Sequence, residues 1–259
     1  MHRGPSVVAI GDSLTLGVGD GTQHPRGDVG WAAHTAHALG ASAFVNLAAN
    51  GTRARDLAAT QVERANAADP GIILASAGGN DVLRGDFDPD EVERELTAVL
   101  RAVSRADRRV VVLGIDRIGL FDALPRAVTA VMARRVSAAN AAIVTSAAAA
   151  GATLVDGGAV FRAAGARAWH IDRIHPSPLG HRRLAEAAVA SLAPEWPQVT
   201  PIAAAPAPPR LHARAWWLMR NGAPWAVRRS RDLIPQVAQV VTHELLEDRR
   251  ARMSGAARA

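Results

Sequence analysis

Short apolar runs alternate with longer amphipathic ones through the first two hundred residues, and no other feature restricts the fold as much. Runs at 6–10, 43–48, 71–77, 109–113 and 153–155 have the length of β-strands and end in glycine or polar residues. The run at 109–113, Arg-Val-Val-Val-Leu, suits a strand buried on both faces. Between the runs, 30–39, 54–68 and 89–106 carry helical patterns. A long Ala-rich helix follows with Pro125 at its first turn, and 179–192 closes the series. Acids open 89–106 and arginines close it, as the helix dipole favours. Five strands separated by helices imply a parallel sheet covered on both faces, an α/β architecture. Ligands of such sheets sit outside the carboxyl ends of the strands, which gives a positional test for every candidate site residue.

Six prolines (Pro194, Pro197, Pro201, Pro206, Pro208, Pro209) then interrupt the pattern and exclude regular helix or central strand. The organisation read from this is a main domain over 1–196, a Pro/Ala-rich linker over 197–209 and a helical extension over 210–259. Helices are expected in the extension at 211–219 and 234–246. All 30 basic residues are arginine. Residues 1–209 hold 20 Arg and 20 acids, whereas 210–259 hold 10 Arg and 4 acids, so the whole net charge of +6 belongs to the extension. A nucleic-acid enzyme more often carries such an excess on its catalytic body, so a nucleic-acid partner is disfavoured. The absence of cysteine excludes disulfides, thiolate zinc sites and a thiol nucleophile; the absence of lysine excludes Schiff-base chemistry and a phosphate-loop lysine. With no signal-peptide pattern and no apolar run of about 18 residues, a cytoplasmic protein is expected.

Four short motifs meet the positional test. Gly11-Asp12-Ser13-Leu14 follows the first strand, where a serine either caps a helix or presents its hydroxyl beside backbone N–H groups able to receive an oxyanion. Asn50-Gly51 follows the second strand, as a permissive turn or as an N–H donor with no side chain in the way. Gly78-Gly79-Asn80-Asp81 follows the third. Asn80 there is a turn residue or an amide donor to the same oxyanion, and Asp81 an acceptor for loop N–H groups. Asp172-Arg173-Ile174-His175-Pro176 precedes the last helix, with a carboxylate spaced to orient an imidazole that can act as a base near pH 7. Gly17, Gly19 and Gly21 do not form a dinucleotide fingerprint.

Taken in order, these blocks resemble the SGNH, or GDSL, hydrolase family: Gly11-Asp12-Ser13-Leu14-Thr15, Asn46-Leu47 with Asn50-Gly51, Gly78-Gly79-Asn80-Asp81, and Asp172 to His175-Pro176 trailed by Gly180-His181. The resemblance spans residues 6 to about 192. It implies a flavodoxin-like three-layer α/β/α sandwich with strand order 2-1-3-4-5, and hydrolysis of carboxylic esters or thioesters without metal or cofactor. It further implies Ser13 as nucleophile, His175 as base and Asp172 as its orienting group. Ser13 N–H, Gly51 N–H and the Asn80 amide become the oxyanion hole, with Asp12 and Asp81 in support. The blocks do not match the G-x-S-x-G elbow, because position 15 is Thr.

The expected function is an esterase or lipase-like acylhydrolase. A carbohydrate deacetylase, lysophospholipase or thioesterase on the same site, or a non-catalytic membrane- or partner-binding protein on this scaffold, are the alternatives. His24, His34 and His37 are assigned ordinary surface or capping roles, His181 the start of the last helix, and Asp116 a place in the pocket wall. His170 is set aside as base because position 167 is Arg. The extension, with Trp216, Trp217, Trp225 and six Arg between 210 and 231, is read first as packing back on the main domain with its Trp buried. Peripheral contact with an anionic membrane or lipid comes second and a phosphate polymer third.

Overall fold

The computed structural model describes residues 4–21, 29–116, 119, 125–208 and 210. Single positions at 212, 216, 220, 238, 239, 241, 242, 246 and 250 are described as well. The five expected strands form one parallel sheet: β1 (Ser6–Ile10), β2 (Ala43–Asn46), β3 (Ile72–Ser76), β4 (Arg109–Leu113) and β5 (Thr153–Val155), in the order β2-β1-β3-β4-β5. The order reverses direction around β1, so the crevice at the carboxyl ends of β1 and β3 is the topological switch point.

Side chains alternate across the sheet because successive Cβ atoms point to opposite faces. Val8, Ile10, Ile73, Ala75, Val110 and Val112 join one core cluster, and Val7, Ala9, Ile72, Leu74, Val111 and Leu113 join the other. The first is covered by α3 (Ala54–Leu57), α4 (Glu63–Ala67), α5 (Pro89–Val103) and α6 (Arg126–Ala150). The second is covered by α2 (Gly30–Ala38), α7 (Gly157–Ala164) and α8 (Pro178–Leu192). A four-residue helix, α1 (Ser13–Leu16), follows β1 directly. The result is the three-layer α/β/α sandwich.

α5 shows how local chemistry makes these elements. Asp88 caps it by accepting from Asp90 N–H, Pro89 sets φ at the first position, and Val92, Leu96, Val99, Leu100 and Val103 form one buried stripe. α6 starts at Arg126, with Pro125 as the N-cap, and ends in Gly151, whose φ of 65° is left-handed. Among the described residues α6 is the one helix long and apolar enough to cross a membrane, a property that the search for continuous apolar runs missed. Its face from Val131 to Ala147 is buried in the domain core.

Three features depart from expectation. The helix expected over 54–68 is broken by a π-helical turn at Ala58–Val62. α7 has no counterpart among the expected helices; Asp156 caps it by accepting from Ala159 N–H. The Pro-rich stretch is partly strapped to the body: Val199 and Thr200 donate to Ala38 O, and Arg182 donates to Ala203 O. In the extension, Val241 is buried within the first cluster while Trp216 is 60% exposed, against the expectation of a buried ring. Trp217, Trp225 and most of 211–219 and 234–246 lie outside the described residues, as does His24.

Candidate active site

The turn that carries Ser13 is built from β1 outward. Gly11 has φ 137°, and a Cβ there would lie 2.5 Å from Ser76 O, so only glycine lets β1 turn so close to β3. Asp12 caps α1: its Oδ1 accepts from Leu14 N–H at 3.0 Å and from Ser76 Oγ at 2.9 Å. Thr15 Oγ1 and Ser76 Oγ are 2.7 Å apart, and Asn46 Nδ2 donates to Thr15 O at 3.0 Å. Asp12 is thus the hydrogen-bond acceptor expected, but it also lines the cleft. Burial pushes its carboxyl up to about 6, against the lowering pull of Ser76 and Leu14.

This turn places Ser13 Oγ 3.0 Å from His175 Nε2, and His175 Nδ1 lies 2.8 Å from Asp172 Oδ2. The other Asp172 oxygen accepts from the backbone N–H groups of Ile174 and His175 at 2.9 and 3.0 Å. Burial opposes ionisation of Asp172, yet hydrogen bonds from His170 and His175 outweigh it and hold the carboxyl well below the usual range. An ionised carboxylate accepts only, so Nδ1 carries the proton and the Nε2 lone pair faces the serine hydroxyl. His170 Nδ1 is 3.4 Å from Asp172 Oδ2. Setting His170 aside for want of an acid three residues earlier therefore overlooked the acid two residues later. The imidazole that reaches Ser13 is nevertheless that of His175.

Opposite His175, Asn80 Nδ2 donates one hydrogen to Thr52 O at 3.0 Å, which orients the amide and leaves its second hydrogen for another acceptor. Asp81 accepts from Ala54 N–H at 3.2 Å and from Arg53 Nε at 3.3 Å, tying the Asn80 turn to α3. Burial raises its carboxyl despite these bonds. Gly51 has φ 83° and is exposed, and a Cβ there would meet nothing within 4 Å. Its glycine character is thus required by the turn and not by crowding. Asn50, rather than Gly51, lines the cleft.

The cleft has an apolar wall of Leu14, Leu83, Ile115, Phe161, Trp169 and Leu184, with Asn50, Arg84 and Asp116 among its polar positions. Phe161 and Trp169 pack in a tilted arrangement, with ring centroids 4.6 Å apart and planes at 46°. Arg135 of α6 holds the Leu83–Arg84 wall by donating to the carbonyls of Val82 and Arg84, with its guanidinium 4.7 Å from the Phe87 ring. Among the described residues no three His, Asp or Glu converge as metal ligands.

His34 departs from its expected surface or capping role, whereas His181 lies in the first turn of α8, as expected, and makes further contacts there. His34 is buried and lies 2.8 Å from Asp20, which also accepts from Gly30 N–H and from Arg182. His181, fully buried on α8, accepts from Trp31 N–H at Nδ1 (3.2 Å) and donates from Nε2 to Val18 O (3.0 Å), joining both stems of the loop between α1 and α2. His37 is exposed. Sequence reasoning missed Gln61, Ser76, Asp20 and Arg135 because each acts on a residue from another segment; a polar residue within a helix or strand was the available signal for Gln61, Ser76 and Arg135, and the loop residue Asp20 gave none.

A doubly covered parallel sheet with a serine, an imidazole and a carboxylate in series at its switch point defines a class of hydrolases. Residues 9–183 match the model of the GDSL-like lipase/acylhydrolase family; the chain belongs to that family and is an ester hydrolase. A search of curated protein sequences finds no match. Among solved structures, a catalytic mutant of Axe2, an acetylxylan esterase from Geobacillus stearothermophilus, superposes with a TM-score of 0.62 at 22% identity. The match covers 77% of this chain and 99% of that one. LAE5, an alpha/beta hydrolase enzyme from the metagenome of Lake Arreo, Spain, gives 0.59 at 23% identity, covering 74% and 96%. At this identity the likeness bears on the fold.

Proposed function

We propose that the chain cleaves carboxylic esters through an acyl-enzyme on Ser13. The observation that carries this reading is the unbroken hydrogen-bonded series Ser13 Oγ to His175 Nε2 (3.0 Å) and His175 Nδ1 to Asp172 (2.8 Å). His175 takes the hydroxyl proton as Ser13 Oγ bonds to the ester carbonyl carbon. The ionised Asp172 stabilises the imidazolium and fixes its orientation. The resulting oxyanion is received by Ser13 N–H and the free Asn80 amide hydrogen, while Gly51, expected as the third donor, lies outside the residues that line the cleft. His175 then protonates the departing alkoxide as the carbon–oxygen bond breaks. Water, deprotonated by the same imidazole, releases the carboxylic acid and restores Ser13.

The apolar wall suits an apolar acyl group better than a sugar. A simple acyl ester is therefore favoured over deacetylation of carbohydrate, the activity in the name of the Axe2 fold relative. The test is hydrolysis of p-nitrophenyl butyrate by wild type and a folded Ser13→Ala variant. Loss of turnover in the variant is expected, and equal rates would sink the mechanism.

A further inference from the structure

The π-helical turn Ala58–Val62 buries a single residue, Gln61, which is 2% exposed. Its neighbours on the same helical face, Leu57 and Ala65, are apolar core residues, so a carboxamide stands where an aliphatic side chain would pack without desolvation cost. Both ends of that carboxamide are used on one residue, bridging the peptide units on either side of its Cα: Gly11 N–H donates to Gln61 Oε1 at 2.7 Å, and Gln61 Nε2 donates to Gly11 O at 2.9 Å. Gly11 O also accepts from Ala49 N–H at 3.0 Å, at the start of the turn that carries Asn50 and Gly51. On its other side Gly11 abuts Ser76 of β3. Gln61 therefore grips the residue two before Ser13, through a carbonyl shared with the Gly51 turn. π-turns recur where a helix must aim a side chain at a functional site.

We propose that Gln61 is a positioning residue for this hydrolase, fixing through Gly11 the placement of the Ser13 hydroxyl relative to His175 and to the Gly51 turn. The inference rests on the Ser13 mechanism above. Gln61 touches neither substrate nor the reacting atoms; it acts by holding the backbone from which they project. Reactivity of a serine depends on attack geometry far more steeply than substrate binding does, so the loss belongs in kcat.

The experiment compares wild type, Gln61→Met and Ser13→Ala on p-nitrophenyl butyrate, well below each protein's unfolding temperature, and follows inactivation by a fluorophosphonate. Methionine keeps the volume and removes both hydrogen bonds. The expected result is a kcat lower by about ten- to a hundredfold with KM changed by less than about threefold, and a parallel fall in the phosphonylation rate. A folded Gln61→Met with wild-type kcat, or a change confined to KM, overturns the proposal. If Gln61→Met does not fold, Gln61→Leu, which also removes both hydrogen bonds to Gly11, is judged by the same criteria. An active Ser13→Ala would instead refute the underlying mechanism, whereas an inert Ser13→Ala beside an unimpaired Gln61→Met refutes this inference alone.

Discussion

His181 makes stability depend on pH in a way that one substitution isolates. Burial lowers its imidazole from an ordinary 6.5 to about 4, because the cation would lose its hydration and would have no lone pair for Trp31 N–H. The folded pKa is depressed, so the contribution of this neutral histidine is fully present above pH 6.5 and is lost as pH falls towards 4. Between pH 8 and pH 5 the linkage amounts to about 2 kcal/mol of lost stability. Asp12 acts in the opposite sense. Its raised carboxyl makes ionisation a cost that grows as pH rises through the interval from about 4 to 6, so the wild-type profile is a sum of opposing slopes. His181→Gln separates them, since a glutamine offers an acceptor to Trp31 N–H and a donor to Val18 O and does not titrate. Denaturant unfolding of both proteins at pH 8, 6 and 5 should show wild type losing about 2 kcal/mol more than the variant on acidification. Parallel profiles would refute the placement of a neutral, doubly bonded imidazole at this position.

Other outcomes follow from the site. Asp172→Asn can still accept from Ile174 and His175 N–H groups, but its amide faces His175 Nδ1 and selects the wrong tautomer; kcat measured by steady-state kinetics should fall by about 10⁴-fold with the protein folded. If Asn80 is the oxyanion donor proposed, Asn80→Ala should lower kcat by about 10²–10³ with little change in KM. If the wall of Ile115, Phe161 and Leu184 takes the acyl chain, kcat/KM on p-nitrophenyl esters should rise by up to about fourfold per methylene from acetyl to hexanoyl. A steady decline over the same series would assign the cleft to a small acyl group.

The sheet was legible because its strands are continuous apolar runs, and the site because its blocks lie where those runs end. Ser13, Asn80 and the Asp172–His175 pair sit on three separate segments, yet each segment follows a strand or precedes a helix that the pattern already delimits. What supports them was not legible. Gln61 to Gly11 spans 50 positions, and His181 to Trp31 spans 150. No local periodicity encodes such pairings, and the π-turn that presents Gln61 is too small a departure from helical spacing to read. His34 illustrates the same limit. Its partner Asp20, held in turn by Arg182, comes from another segment, and the surface or capping role expected for His34 contains no sign of that pairing. α7 has no counterpart in the sequence pattern for a related reason: a Cβ at Gly157 would lie 2.2 Å from Gly114 O, so packing against a distant segment is what requires glycine there.

The central claim is that Ser13 is the nucleophile, and covalent trapping tests it most directly. Wild-type protein inactivated with a fluorophosphonate should carry one adduct, mapped by tandem mass spectrometry to Ser13, with loss of esterase activity proportional to labelling. His175→Ala should label far more slowly. An enzyme that loses activity while its adduct forms on another residue, or one that hydrolyses esters unimpaired with Ser13 phosphonylated, would contradict the account.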